Sequence, residues 1–431
     1  MTTIAGHQGA TVPASRWRDP AVWITTADVL AILVAISLPW STSATGILVV
    51  LWLLATLPTL SVEALRRDVL SAPGGLPVLF ATCAAAGMAW AHVPIDERFH
   101  GLESFLRPIM IPVLFVQFRR SDRGLWVGAA FLASAAAVLA CSYVMINLPN
   151  ALFLGNGYGV PVKDDIAQSG IFTLSAFALF YIAVTRWNAQ RRGVAVACLM
   201  LGMLFIANMI YVVTSRTALV VIPALYLLLA FHCRLHRRSF MAIAAYVLFG
   251  VAAIGAVWAT SQNLRYRVTV IAHEVSEHAA TGVDTSSGAR LDFWRYSLRI
   301  VSEAPLIGHG TGTIADEFRH HADGPADMTA TNPHSQVFTV AIQLGAVGVI
   351  ILLAMWAAHW LMFTGPGLPS WIGLMVVTQS IIGCQFNSHL LDFTQSWIYV
   401  FGVGVFGGTV LGRKAGGASG GASAPAASPG P

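Results

Sequence analysis

Apolar runs broken by short polar turns fill the chain up to about Ser261. A long polar stretch then extends to His334, and apolar runs resume as far as about residue 411. A helix that crosses a bilayer takes about 20 apolar residues, with a range of roughly 17 to 25. That criterion predicts twelve spans, at 27–43, 46–62, 75–93, 104–119, 124–146, 169–186, 193–214, 217–233, 239–259, 335–361, 368–387 and 392–411. The first, second and fourth are short, and Pro39, Pro58, Pro108 and Pro112 are placed to kink them. Inside the polar stretch, residues 264–278 read as a helix of mixed faces. Residues 289–303 read as a better one. There Leu291, Trp294, Leu298 and Val301 recur at three- and four-residue steps, with Arg290, Asp292, Arg295 and Arg299 elsewhere around the turn. Such a helix suits an interfacial position, with its arginines toward lipid phosphates, or a lid packed on the bundle; the two are compatible.

The basic residues test this count. Arg16 and Arg18 precede the first span, Arg66 and Arg67 follow the second, and Arg119, Arg120 and Arg123 follow the fourth. Arg186, Arg191 and Arg192 follow the sixth, Arg234, Arg237 and Arg238 the eighth, and Arg413 and Lys414 the twelfth. Every cluster then lies on one side, which the positive-inside bias makes cytoplasmic. Losing or adding one span breaks the agreement. The predicted fold is an all-α polytopic membrane protein of about 12 transmembrane helices with a large periplasmic loop containing helices. It divides into a cytoplasmic lead (1–26), spans one to nine (27–259), the periplasmic loop (260–334), spans ten to twelve (335–411) and a disordered cytoplasmic tail (412–431) of Gly, Ala, Ser and Pro. The lead has no cleavage-site pattern of a signal peptide.

Composition narrows the classes. The chain of 431 residues is 56% hydrophobic and 10% charged. A soluble protein carries about 25% charged residues, so lipid must be the solvent here. The net charge of +5 is spread over short loops, a pattern that reports orientation in a membrane and no nucleic-acid partner. Cys83, Cys141, Cys198, Cys233 and Cys384 all fall in or beside apolar runs without a CxxC pair, so neither a disulfide nor a zinc site is expected.

Candidate chemistry gathers at the ends of spans. His334 closes the polar stretch, in Thr331-Asn332-Pro333-His334-Ser335-Gln336. Pro333 can open a helix, which puts His334 in its first turn. There a positive terminus lowers the imidazole pKa and keeps a neutral base near pH 7. Gly345 and Gly348 share a face about three turns below and permit close helix packing. Arg216 occupies a turn so short that it must lie at the outer interface, where a charge is either functional or snorkelling. Glu103 and Arg107 are spaced to pair on one helix face. Pro305-Leu306-Ile307-Gly308-His309-Gly310-Thr311-Gly312 has glycines but no preceding strand and no phosphate-loop spacing, and reads as a flexible turn. His320 and His321 with Asp316, Asp323 and Asp327 match no metal template and read as a solvated loop. Asp164 and Asp165 are adjacent, not spaced as a metal pair, with Lys163 at hand to neutralise them.

Together these residues resemble the O-antigen ligase family, within the wider ligase and polymerase superfamily. The family motif is His, then Asn, Ser or Gln, nine residues, Gly, two residues, and Gly, Thr or Tyr. Here His334, Ser335, Gly345 and Gly348 fill every defined position. Ser215-Arg216-Thr217-Ala218-Leu219 is similar to the family's arginine motif. Gly288-Ala289-Arg290-Leu291 through Trp294, followed by the Pro305–Gly310 run, is similar to its loop ahead of the histidine. The resemblance covers spans six to twelve best and implies a GT-C-like fold. It also implies transfer of a glycan from undecaprenyl diphosphate to the lipid A–core acceptor, on the periplasmic face of the inner membrane. That transfer would be inverting, independent of metal and without a cofactor. The roles it implies are His334 as base and Arg216, Arg290 and, more weakly, Arg265 on the diphosphate. Gln168, Asn332 and Asp392 would line a cleft open to membrane lipids. Arginine suits phosphate geometry and stabilises the leaving charge.

Three other readings stay open at this point. An O-antigen polymerase would use similar chemistry on a growing glycan. A protein O-oligosaccharyltransferase would more often carry a larger exterior carboxy-terminal region. A lipid or polysaccharide transporter would explain twelve spans without chemistry, but predicts charges at the bilayer midplane, and the polar residues here cluster at the outer edge.

Overall fold

The structure, a computed structural model, describes residues 19–148, 158–213, 215–235, 240–281, 285–321 and 332–421. In chain order the helices are α1 (Pro20–Ser37), α2 (Thr42–Thr56), α3 (Val62–Val69), α4 (Ala72–Gly87), α5 (Ile95–Leu106), α6 (Met110–Arg120), α7 (Gly124–Asn147), α8 (Asp165–Asn188) and α9 (Arg192–Tyr211). They continue as α10 (Arg216–Leu235), α11 (Phe240–Thr260), α12 (Gln262–Thr281), α13 (Ser286–Glu303), α14 (Ile314–His321), α15 (Gln336–Met362), α16 (Leu368–Gly383) and α17 (Phe393–Gly421). Among the described residues there is no strand.

Each of the twelve expected spans falls on helix. Among the described residues, eight segments are long and apolar enough to cross a membrane, or nine if the α3–α4 pair, bent by 85°, counts as one. Part of the shortfall has a physical basis. The 16 residues of α16 rise about 24 Å, less than the ~30 Å hydrocarbon core, and α17 opens on the polar Thr394, Gln395 and Ser396. Boundaries also differ at the ends of the chain. Asp19 caps α1, which starts at Pro20, inside the expected lead. The last helix runs on to Gly421, through half of the expected tail. Pro58 and Pro108 sit in single 3₁₀ turns, Leu57–Thr59 and Arg107–Ile109, as kinks at proline predict.

The core forms where α17 lies along α6. Gly404, Gly407, Gly408 and Gly412 face Leu114, Phe115, Phe118 and Arg119, where an added Cβ would strike α6. Small residues at this spacing let two helices approach closely in lipid. Trp52, Trp371 and Tyr399 fill the bundle and are almost fully buried. At one end, Arg119 pairs with the buried Asp68 at 2.8 Å and donates to the Leu411 carbonyl at 3.5 Å. Arg120 donates to the Thr59 carbonyl at 2.7 Å. The basic turns after the second, fourth and twelfth expected spans are thereby gathered at a common end, as the arginine pattern requires.

A second, smaller core joins α13, α14 and α15 through Tyr296, Ile300, Ile314, Phe318 and Ile342, with Phe293 and Val301 against it. The helix expected over 289–303 is present as α13, but its inward face differs. Leu291 and Leu298 are exposed, and Phe293, Tyr296 and Ile300 are the residues that pack inward. The apolar stripe read from sequence marked, in part, the face turned away from protein.

The Pro305–Gly312 run is not a plain flexible turn. At Gly345, α15 departs from helical geometry (φ 59°, ψ −158°). An unbroken helix would bond Ala346 and Val347 to the carbonyls of Ile342 and Gln343. Instead Ala346 donates to the Pro305 carbonyl at 2.8 Å and Val347 to that of Leu306 at 3.2 Å. The orphaned carbonyls of Ile342 and Gln343 accept from His309 at 2.8 Å and Gly310 at 2.9 Å. The inserted loop thus satisfies four backbone groups that would cost several kcal/mol each if left unpaired in lipid. Gly308, Gly310 and Gly312 all have positive φ, which lets the loop pass between α15 and α4, where Thr311 bonds the Ala84 carbonyl at 2.6 Å. The close packing expected at Gly345 is therefore of helix against loop backbone, not of helix against helix.

Candidate functional site

The segment before α15 is built by polar side chains. Ser335 is the N-cap of α15, so His334 stands one residue outside the helix and not in its first turn. His334 has φ 52°, the left-handed region that costs a non-glycine residue about 1–3 kcal/mol. Asn332 holds it there: its Oδ1 accepts from the His334 backbone at 2.9 Å and from Ser388 Oγ at 2.7 Å. On the far side of the ring, Nδ1 of His334 donates to Asn387 Oδ1 at 3.4 Å, and that oxygen also accepts from Ser388 N at 2.9 Å. The Phe293 ring stacks on the imidazole with centroids 6.0 Å apart and planes at 19°.

One face of α13 links the histidine to Arg290 and Arg216. Ser287, Arg290 and Phe293 recur every three residues, so each step rises about 4.5 Å. Ser287 Oγ accepts from Arg216 Nη1 at 2.6 Å. Phe293 lies on His334, and Arg290 stands between them. Burial first, and then the positive charge of Arg290, push His334 below its ordinary pKa, against the opposing bond to Asn387. The low imidazole pKa expected from a helix terminus thus arises from burial and a neighbouring cation. Burial and the charge of Arg216 in turn disfavour the Arg290 cation, while Glu274 and Asp165 favour it. Among the described residues no hydrogen bond reaches the Arg290 guanidinium.

Arg216 is engaged through both of its terminal nitrogens. Its Nη2 meets both oxygens of Glu274, at 3.1 and 3.3 Å. Glu274 also accepts from the backbone and hydroxyl of Ser287, at 3.1 and 2.6 Å. Partial burial opposes the Glu274 charge, but the Ser287 bond and Arg216 outweigh it and hold the carboxyl below its usual range.

The remaining predicted residues are placed elsewhere. Arg265 turns back to cap α11, donating to the carbonyls of Trp258 and Ala259 at 2.9 and 2.8 Å. It lies nine residues before Glu274 in α12, about 13 Å along the helix. Gln168 is buried and donates to the Gly159 carbonyl at 3.0 Å. There it belongs to a closed network in which Asn208 donates to Ser142 at 2.9 Å. Asp392 caps α17 by accepting from Gln395 N at 2.8 Å, close to Lys163 and Arg107. Burial lowers Lys163 to about 8, against Asp392 and Asp164, and its Nζ donates to Thr394 at 2.7 Å. Arg107 pairs with Glu103 at 3.7 Å, as their spacing predicts. His320 and His321 bond back to the carbonyls of Asp316 and Glu317; Asp323 and Asp327 lie outside the described residues. An apolar cavity of about 300 Å³ opens between α1, α7, α8, α16 and α17, but none of the predicted site residues lines it.

Residues 201–353 match the family model described as O-antigen ligase. Over that stretch the chain is similar to the O-antigen ligase family. The family region contains Arg216, Arg265, Arg290, Asn332 and His334, together with Glu274, Ser287 and Phe293; Gln168, Asn387 and Asp392 lie outside it. Part of the chain is also similar to an uncharacterized protein from Haemophilus influenzae, with 37% identity over 75 residues that make up 16% of this chain and 18% of that protein.

Sequence reasoning did not single out Ser287, Phe293, Glu274 or Asn387. The first two carry a signal, the three-residue spacing around Arg290, had the arginine side of α13 been taken as its inner face. Glu274 and Asn387 carry none, because their partners come from other elements.

Proposed function

We infer that this protein is a membrane glycosyltransferase of the O-antigen ligase type. It moves a glycan from undecaprenyl diphosphate to a hydroxyl of the lipid A–core, at the periplasmic face of the inner membrane. The observation that carries this reading is the α13 face on which Ser287 bonds Arg216, Arg290 stands next, and Phe293 stacks on His334. An imidazole held below its ordinary pKa and a guanidinium without a hydrogen bond among the described residues thus lie within about two helical turns.

The chemistry follows from the atoms. The acceptor hydroxyl oxygen attacks the anomeric carbon from the side opposite the diphosphate. The bond from that carbon to the phosphate oxygen breaks, the electron pair leaves with the diphosphate, and the anomeric configuration inverts. His334 takes the hydroxyl proton at Nε2, since Nδ1 already donates to Asn387. Arg290 and Arg216 take up the charge that grows on the diphosphate, a role that guanidinium groups perform without a metal ion. Arg265 is left out of this set by its bonds to α11. Both substrates are anchored in lipid, so the cleft opens toward the outer leaflet, a side that the one-sided clustering of the basic turns supports.

The test incubates the purified protein with polyprenyl-diphosphate glycan and lipid A–core in the presence of a chelator. Glycan joined to the core supports the metal-independent ligase. Chain extension without the core acceptor supports the polymerase instead. Absence of both products overturns the enzyme reading and leaves transport.

A further inference from the structure

The Glu274 carboxylate occupies a place built for an anion. Three donor atoms make four contacts with it: two from Arg216 Nη2, one from the backbone N–H of Ser287 and one from the Ser287 hydroxyl. The N–H belongs to the first turn of α13, where unpaired amides and the helix dipole favour negative charge. Arg290 is one turn further along the same helix, feels the charge of Glu274, and has no hydrogen bond among the described residues. Two guanidinium groups and a helix start therefore face Glu274, with Asp165 the other carboxylate whose charge reaches Arg290. Glu274 belongs to α12, an element separate from both arginines and tied to α13 by Thr285, donating to the Glu274 carbonyl at 3.0 Å, and by the His278–Asp292 pair at 2.7 Å.

We propose that Glu274 is an internal stand-in for the donor's phosphate: its carboxylate holds Arg216 in the empty enzyme and is displaced when a diphosphate binds. This rests on the reading of Arg216 and Arg290 as the diphosphate ligands. A phosphate oxygen replaces the carboxylate on Arg216 and Ser287, a second phosphate engages Arg290, and the released Glu274 carries its part of α12 away from α13. The exchange discriminates by charge. A diphosphate satisfies both guanidinium groups and outcompetes Glu274, whereas a singly charged headgroup gains only what Glu274 already provides. The pair also keeps Arg216 oriented and the site closed to weak anions between turnovers.

The experiment titrates the purified full chain in lipid nanodiscs with inorganic pyrophosphate, by calorimetry. It compares the wild type with Glu274→Gln and Arg216→Ala. The amide keeps the shape of the side chain but loses the charge that competes for Arg216. Glu274→Gln is expected to bind pyrophosphate roughly two- to fivefold more tightly than wild type, the factor by which a closed, partly exposed pair lowers apparent affinity. Equal or weaker binding by Glu274→Gln, with binding still reduced in Arg216→Ala, overturns the stand-in and leaves the arginine site intact. If none of the three proteins binds pyrophosphate, the arginine reading falls and this proposal with it. A second measurement needs no variant: hydrogen exchange of α12 in the wild type should rise at saturating pyrophosphate. Unchanged or slower exchange there overturns the displacement.

Discussion

The Nδ1 atom of His334 donates to the Oδ1 atom of Asn387 across 3.4 Å. An amide oxygen can only accept, so this contact selects the tautomer with Nε2 free to take a proton. A general base works unprotonated, and burial with Arg290 holds this imidazole below its ordinary value of 6.5. Glycan transfer should therefore be level near neutral pH and fall with acid through a midpoint below 6.5. Asn387→Asp puts a negative charge against Nδ1, favours the imidazolium and should move that midpoint to higher pH. NMR titration of the His334 ring checks this apart from activity; an unmoved midpoint would remove Asn387 from its role. His334→Ala should insert normally and lose about 10²–10⁴-fold in rate, the usual contribution of general base catalysis.

Phe293 should matter through orientation. Its ring lies on His334 and meets Phe318 edge-on at 5.7 Å, anchoring the imidazole to the second core. Phe293→Leu keeps most of the apolar volume and removes the flat face. The expected result is a lower kcat with little change in KM for the donor. A rise in KM alone would show that the ring serves binding and not the base.

Arg290 and Arg265 should separate cleanly. A charged hydrogen bond contributes about 1.5–3 kcal/mol, so Arg290→Lys, which replaces a planar fork by a point charge, should lower kcat/KM roughly ten- to hundredfold. Arg265→Lys should leave kcat/KM close to wild type, because its bonds go to the carbonyls that end α11. Equal losses in the two variants would mean that the diphosphate reaches further along α12.

Gly345 should be intolerant for a backbone reason. Its φ of 59° with ψ of −158° is a combination essentially reserved for glycine, at a cost of about 1–3 kcal/mol for another residue. A Cβ there would also strike the Leu306 carbonyl and Ile307 N. Gly345→Ala should lower the melting temperature in detergent and expel the loop, exposing the amides of His309 and Gly310 to hydrogen exchange. Wild-type stability would contradict the requirement for a break in α15.

The chain's own pattern determined the helical class, the places of the helices, the common end of the basic turns after the second, fourth and twelfth expected spans, and the segments that carry His334, Arg216 and Arg290. These follow from local causes: apolar runs long enough for a bilayer, charges excluded from it, and a motif contained within a few adjacent residues. Tertiary structure decided what those causes do not reach. Leu291 and Phe293 are both apolar, and only packing against Phe318 and Ile342 selects which of them faces in. Gly345 reads as a small residue in a helix until the Pro305–Gly310 backbone, some forty residues earlier in the chain, supplies the bonds that let the helix break. Arg265 and Arg216 are equally charged and equally placed at helix starts. They part because a carbonyl cluster ends α11 beside one, while Glu274 and Ser287 close on the other. Partners distant in sequence set the direction of each side chain, and no local periodicity encodes them.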